Sequence, residues 1–240
     1  MSSSGQALRV VFFDAAGTLF HLPRGVAYHY ALVARRFGVE LDEAQLSPAF
    51  GRVWREIPAP VTTDVPRPDD DRGWWRELVE RVLDDCAESK LDRDAYFAEL
   101  YPHFLEPGVW ELFPETLEVL QALHGRVSLR IISNFDRRLR SILATLGIAE
   151  FFDDVVISSE CGADKPDVRV FALALERAGV APEEALHVGD DPVADWEGAE
   201  AVGMHVCRLA RPDNTLRELL SVTSIPPTTC NASPPAHQSP

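Results

Sequence analysis

Leu8-Arg9-Val10-Val11-Phe12-Phe13-Asp14-Ala15-Ala16-Gly17-Thr18 is the stretch on which the fold turns. An almost unbroken apolar run of this length, closed by Asp14 and then Gly17, reads as a strand buried on both faces that leads into a loop. Asp14 therefore stands at the carboxyl end of a strand. After Val109, apolar segments at Leu129 to Ser133, Val155 to Ser158, Ala185 to Val188 and Met204 to Leu209 alternate with helical patterns around Leu139 to Leu146, Val168 to Ala178 and Val193 to Val202. Such alternation implies right-handed crossovers and an α/β fold, a doubly wound parallel sheet covered by helices on both faces. The first strand cannot bury both its faces alone, so it joins that sheet. In open sheets of this kind the site lies beyond the carboxyl ends of the strands.

Between the first strand and the rest, from Pro23 to about Leu105, no strand pattern appears. Helical periodicity runs instead through Val26, Tyr30, Val33, Ala34 and Phe37, and again through Trp74, Trp75, Leu78, Val79, Val82 and Leu83. This stretch reads as an inserted all-helical cap domain, residues 21–109, with the α/β core formed by 1–20 and 110–220. Ile57 to Arg72, with four prolines and the run Asp69-Asp70-Asp71, reads as a solvated connector inside the cap. Trp74 and Trp75 are expected to pack in the cap rather than form a substrate platform. Residues 221–240, rich in Pro, Ser and Thr, are expected to be a disordered tail.

A formal net charge of -15 over 240 residues gives little attraction for a phosphate backbone or an anionic membrane, so neither nucleic acid nor membrane is an expected partner. Cys86, Cys161, Cys207 and Cys230 are scattered without a metal-finger or CxxC spacing, which fits reduced thiols. With no apolar run of membrane-spanning length and no signal-peptide pattern at the start, the expected setting is the cytoplasm.

Four polar clusters follow strands. They are Asp14-Ala15-Ala16-Gly17-Thr18, Ser133-Asn134, Lys165-Pro166-Asp167, and Gly189-Asp190-Asp191 with Asp195 beyond. Singly, each is explained by turns and helix caps. Together they converge on one edge of one sheet, where they supply a carboxylate nucleophile, a hydroxyl donor, a cation and a metal-binding carboxylate pair.

The set, in this order, resembles the four motifs of the haloacid dehalogenase (HAD) superfamily, and Ser-Asn-Phe-Asp-Arg-Arg-Leu at 133–139 with Trp74-Trp75 in the cap resembles more narrowly the rhythmically expressed gene 2-like branch. The resemblance implies a Rossmann-like core, a cap placed after the first motif, and hydrolysis of a small phosphorylated substrate. It implies that Asp14 attacks the phosphoryl group and forms an aspartyl-phosphate that water hydrolyses. Mg²⁺ would be held by Asp14, Asp190 and the Ala16 backbone carbonyl, with Asp195 as a ligand or a support behind the ligands. Ser133 and Lys165 would act on the transferring group, and Thr18 and Asn134 would contact substrate.

One position departs from that pattern. Most phosphatases of the superfamily carry a second aspartate two residues after the nucleophile, as general acid, and this chain has Ala16. Loss of a general acid typically costs ~10²–10⁴-fold in rate. Phosphonoacetaldehyde hydrolases tolerate alanine there by using a cap lysine; Lys90 is the residue left for that role. The 2-haloacid dehalogenases also lack the second aspartate but use no metal, whereas Gly189-Asp190 argues for one. A catalytically degenerate binding or regulatory protein is a further alternative. His21 could replace the acid from the hinge, against its reading as a linker histidine, and His187 reads as a satisfied core residue.

Overall fold

In the computed structural model of the chain, residues 7–86 and 90–221 are described. The elements run in the order β1 (Val10–Phe13), β2 (Phe20–His21), α1 (Gly25–Arg35), α2 (Glu43–Glu56), α3 (Arg72–Asp85), α4 (Arg93–His103), β3 (Glu111–Leu112), α5 (Thr116–Leu123), β4 (Ser128–Ser133), α6 (Arg138–Thr145), β5 (Asp154–Ile157), α7 (Ser158–Cys161), α8 (Val168–Ala178), β6 (Ala185–Gly189), α9 (Gly198–Ala201) and β7 (His205–Arg208). Five strands form one parallel sheet in the order β5-β4-β1-β6-β7.

β1 is the centre of that sheet because its residues are apolar on both faces. Side chains alternate across a strand, so Val11 and Phe13 enter one core with Leu120, Leu139 and Ile142, while Val10 and Phe12 enter another with Val170, Phe171 and Met204. All four are fully buried. Losing either phenylalanine to alanine would cost about 3–5 kcal/mol through lost transfer energy and a residual cavity. The register aligns Phe13 with Ile131 of β4 and with Val188 of β6. Three chain segments therefore leave the sheet at the same edge, one carrying Asp14, one Ser133 and one Asp190.

Helices α1 to α4 pack around a third, separate apolar cluster that includes Leu46, Leu78, Leu83, Tyr96 and Leu100. Asp42 and Asp92 cap α2 and α4 by accepting bonds from Ala44 N and Ala95 N. The chain departs for this bundle through β2 and returns through β3, which pair antiparallel, Phe20 with Leu112 and His21 with Glu111. The two short strands are absent from the sequence expectations, since two residues carry no periodicity. The helical pattern around Val193 to Val202 resolves into a π-helical turn, Pro192–Glu197, followed by α9.

The stretch from 57 to 72 is a largely exposed loop, as expected, but it is tied to the core. Thr63 N donates to Gly162 O at 2.8 Å, and Arg67 N donates to Ser159 O at 2.8 Å. The Arg67 side chain, 5% exposed, pairs with Asp71 at 2.7 Å and with Asp164. Burial of Arg67 and Asp71 within it requires partners, and those outside the loop, Ser159, Gly162 and Asp164, lie far along the chain, out of reach of local sequence reading. The expected tail lies outside the described residues, apart from Ser221. Among the described residues, no helix is long and apolar enough to cross a membrane.

Candidate active site

The strand register brings the expected polar residues together. Lys165 Nζ donates to Asp14 Oδ1 at 2.7 Å and to Asp195 Oδ1 at 2.5 Å, and Ser133 Oγ donates to Asp14 Oδ1 at 3.2 Å. Asp190 Oδ1 accepts from Thr18 Oγ1 at 3.0 Å. Asp14, Asp190 and Asp195 each present a carboxylate oxygen within 4.8 Å of the others.

Backbone conformation makes this approach possible. Gly17 has φ of +97°, and a Cβ there would lie 2.5 Å from Asp190 Oδ2. At Gly189 an added Cβ would run into the Asp195 side chain. Asp191 caps the turn after β6 by accepting from Val193 N and Ala194 N, each at 2.8 Å. That turn carries Asp195 back over the sheet edge, where its Oδ2 accepts from Asp191 N at 3.0 Å.

The electrostatics follow from burial opposed by pairing. Burial pushes the Asp14 carboxyl up to about 6, with Lys165 pulling it down and Asp195 pushing further up. For Lys165 burial favours the neutral amine, but Asp14 and Asp195 outweigh it and hold the ammonium charged. Asp195 is held well below the usual carboxylate range, against its burial, by Lys165 and His187. Burial raises Asp190. Three carboxylates thus face one ammonium, an excess of negative charge that a divalent cation would offset. Oxygen donors suit a hard cation such as Mg²⁺. Asp195 is already engaged by three donors, so Asp14 and Asp190 offer the freer oxygens, and no donor among the described residues engages the Ala16 carbonyl.

Two of the expected substrate contacts are bonded to the charged groups themselves. Thr18, fully buried, spends its hydroxyl on Asp190. The Asn134 amide grips the Lys165 backbone at both ends, donating to its carbonyl at 2.9 Å and accepting from its N–H at 2.6 Å. Both therefore help to position the charged groups, and Asn134 also lines the cavity above them. His187 is more than a satisfied core residue: its Nε2 lies 2.9 Å from Asp195 Oδ1, while Nδ1 has no partner among the described residues. Burial lowers its pKa, so the neutral ring donates through Nε2. Sequence reading saw its place in the strand and missed that its neighbour across the turn was Asp195. His21 stacks on Phe113, with ring centres 4.5 Å apart, and lies outside the cavity lining; Lys90 is exposed and is likewise outside it. Neither is placed to serve the reaction.

Above these groups lies a cavity of about 370 Å³, floored by Asp14, Ala16, Ser133, Lys165 and Asp190. Its roof comes from the helical insertion, Trp75 among it, while Trp74 turns its indole N–H to Pro58 O at 2.8 Å.

A parallel α/β sheet, a helical insertion after its central strand and these ionisable groups at its carboxyl edge together define a hydrolase of the capped α/β type. The haloacid dehalogenase-like hydrolase family matches residues 8–203, and the chain belongs to it. The haloacid dehalogenase-like hydrolase domain-containing protein 3 of Mus musculus is 35% identical, over 82% of this chain and 80% of that one. The rhythmically expressed gene 2 protein of Drosophila melanogaster is 28% identical over 82% and 81%. Among solved structures, a HAD-hydrolase of Bacillus subtilis described as bound to magnesium matches with a TM-score of 0.73 at 20% identity, covering 92% of this chain and all of that one. The L-2-haloacid dehalogenase of Xanthobacter autotrophicus matches with a TM-score of 0.66 at 23% identity, covering 90% and 84%.

Proposed function

We propose that the chain is a Mg²⁺-dependent phosphatase for a small phosphorylated molecule, with Asp14 as nucleophile. The observation that carries this reading is the arrangement of Lys165 between Asp14 and Asp195, with the Asp190 carboxylate alongside. A carboxylate dehydrated this far needs a fixed cation to stay ionised, and Lys165 supplies it; at neutral pH Asp14 remains mostly charged. Asp14 attacks phosphorus through a carboxylate oxygen, the bond to the leaving oxygen breaks, and an aspartyl-phosphate results. Water then attacks that phosphorus and releases inorganic phosphate and Asp14. Ser133 Oγ, beside Asp14, can donate to a phosphoryl oxygen, and the Lys165 ammonium offsets charge that builds there. Asp14, Asp190 and the Ala16 carbonyl would hold Mg²⁺, which would supply further positive charge to offset the meeting of an anionic nucleophile and an anionic phosphate.

Because Ala16 stands where a proton donor would, the leaving oxygen departs without help from that position, which favours leaving groups of low basicity such as aryl or acyl phosphates. A carbon–halogen substrate is the competing reading, favoured by the same alanine. The deciding experiment is rapid quenching with a phosphorus-labelled aryl phosphate, with Mg²⁺ and with EDTA. Label retained on the acid-denatured wild type, lost with Asp14→Asn and lost with EDTA, is the expected result. Undiminished turnover of a haloacid in EDTA would instead establish the dehalogenase reading.

A further inference from the structure

The floor and the roof of the cavity have opposite chemistry. The floor is charged, whereas every lining residue contributed between Leu22 and Trp110 is aliphatic or aromatic; among the described residues that segment brings no carboxylate, amide, cation or aliphatic hydroxyl to the wall. Within the roof the rings form a continuous belt. Phe50 stacks on Trp54 at 5.7 Å, Trp54 meets Trp75 at 6.1 Å, and Trp75 meets Phe135 at 6.4 Å. Phe135 meets Trp110 at 6.3 Å, and Trp110 meets Phe104 at 6.4 Å. Trp54 is 48% exposed, so the belt reaches solvent on that side.

Arg138 is the cation on this wall, and its charge is already met. Its guanidinium bonds to both Asp136 oxygens and to Tyr101 O, and it lies 3.6 Å from the centre of the Tyr101 ring. Asp136 is fully buried beneath it. The wall therefore presents flat apolar faces and no unmet charge for a second anionic group.

We infer that the substrate is a phosphomonoester whose organic part is a flat aromatic group, held in the belt while its phosphate meets Asp14 and Lys165. A sugar or polyol phosphate would bury most of its hydroxyls against ring faces and aliphatic side chains, where the lining Tyr30 and Tyr101 phenols and the Trp54 and Trp75 indole N–H groups are the few bonding partners, and polar groups left unpaired are rejected strongly by such walls. A planar ring system gains from area removed from water and from ring–ring geometry. The cavity volume is within the ~300–1,000 Å³ range of small-molecule pockets. This inference rests on the phosphatase reading for the position of the anionic end, and it makes a separate demand on the roof.

The test compares phenyl with 2-naphthyl phosphate, whose leaving groups differ little in basicity, so that the missing acid at Ala16 weighs on both alike. Alongside turnover, phenylphosphonate and 2-naphthylphosphonate are titrated in the presence of Mg²⁺ by calorimetry, which needs no reaction. Expected is a preference for the naphthyl compound of roughly tenfold in both kcat/KM and affinity. Trp75→Ala should reduce it to about threefold or less, with the thermal shift on adding Mg²⁺ retained; Phe135→Leu serves the same purpose should Trp75→Ala fail to fold. Hydrolysis of both esters with no naphthyl preference overturns the aromatic substrate and leaves the phosphatase. Naphthylphosphonate binding that depends on Trp75, in a protein that hydrolyses no phosphate ester, keeps the aromatic site and overturns the phosphatase. Absence of naphthyl binding together with concentration-dependent dimerisation abolished by Trp54→Ser would assign the belt to a second copy of the chain and overturn the inference.

Discussion

Asp70 accepts a 2.6 Å hydrogen bond from Ser159 Oγ, joining the loop of the helical insertion to α7 in the core. The same carboxylate accepts from Arg137 N at 3.0 Å, at the start of α6. Asp70 and Asp71 both have φ near +55°, a left-handed conformation that aspartate tolerates better than most residues. Beside them Arg67, buried, pairs with Asp71 and Asp164. The loop is thus a strap that bonds the helical insertion, which carries the aromatic roof, to the α/β core.

Removing the strap's cation should be costly. Arg67→Ala leaves Asp71 buried and uncompensated, and breaking a buried pair from one side costs about 3–5 kcal/mol, reduced here because Asp164 is partly exposed. Urea unfolding should therefore show a loss of about 2–4 kcal/mol. A loss below about 1 kcal/mol would show that the strap pairs are replaced by solvent at little cost.

Asp14 should withdraw stability from the metal-free protein as pH rises from about 4 to 6. Asp14 and Asp71 each shift from 3.8 up to about 6 on folding, both through burial. At these two carboxyls the native state binds more protons than the unfolded state in that window, so each withdraws stability as pH rises, and Asp190, also raised, acts in the same direction, whereas the buried neutral His29 and His187 add stability over the same range. Asp14→Asn removes one of these contributions and leaves the others, so in EDTA the stability of the variant relative to wild type should rise across this window, reaching a gain on the order of 1–3 kcal/mol at pH 7. Thermal scans across this range, in EDTA, check it. An unchanged slope in the variant would show that Asp14 is not dehydrated in solution.

The part of the fold that local pattern can express was legible. Each core strand came from an apolar run, and the charged edge came from polar residues at the run ends, because register converts sequence position into a shared edge. What escaped was non-local. The strap's partners are far along the chain, β2 and β3 are too short for any period, and the support given by Thr18, Asn134 and His187 depends on which side chain each meets across the fold. Residue type showed that these three were polar near the site but not whether they face substrate or hold its ligands.

Gly17 offers a test of the acidic cluster that leaves every ionisable group in place. Gly17→Ala imposes a Cβ at φ of +97° and 2.5 Å from Asp190 Oδ2. The backbone penalty is roughly 1–2 kcal/mol, and Asp190 must move. The thermal shift produced by Mg²⁺ should shrink to a third or less, with turnover of an aryl phosphate down at least about tenfold. A variant that keeps the full Mg²⁺ shift would exclude Asp190 from the metal set.

Ala16 allows the chemistry of the absent acid to be tested by restoring it. Ala16 lines the cavity floor beside Asp14, half-buried, so an aspartate there has room above the site to reach a leaving oxygen. If the proton donor alone limits hydrolysis of poor leaving groups, Ala16→Asp should raise kcat/KM for alkyl phosphates by about 10²-fold, the lower end of what a general acid contributes. Aryl phosphates, whose leaving oxygens need less protonation, should gain less than about tenfold. The ratio of the two gains is the informative quantity, because a change in metal affinity or folding would move both esters together. Equal gains would therefore assign the effect to the metal site, where a further carboxylate adds to Asp14 and Asp190. Alkyl turnover that stays at background, in a variant with normal melting behaviour and a normal Mg²⁺ shift, would mean that the natural reaction never depended on an acid at this position, and would move the assignment towards an acyl phosphate or carbon–halogen substrate.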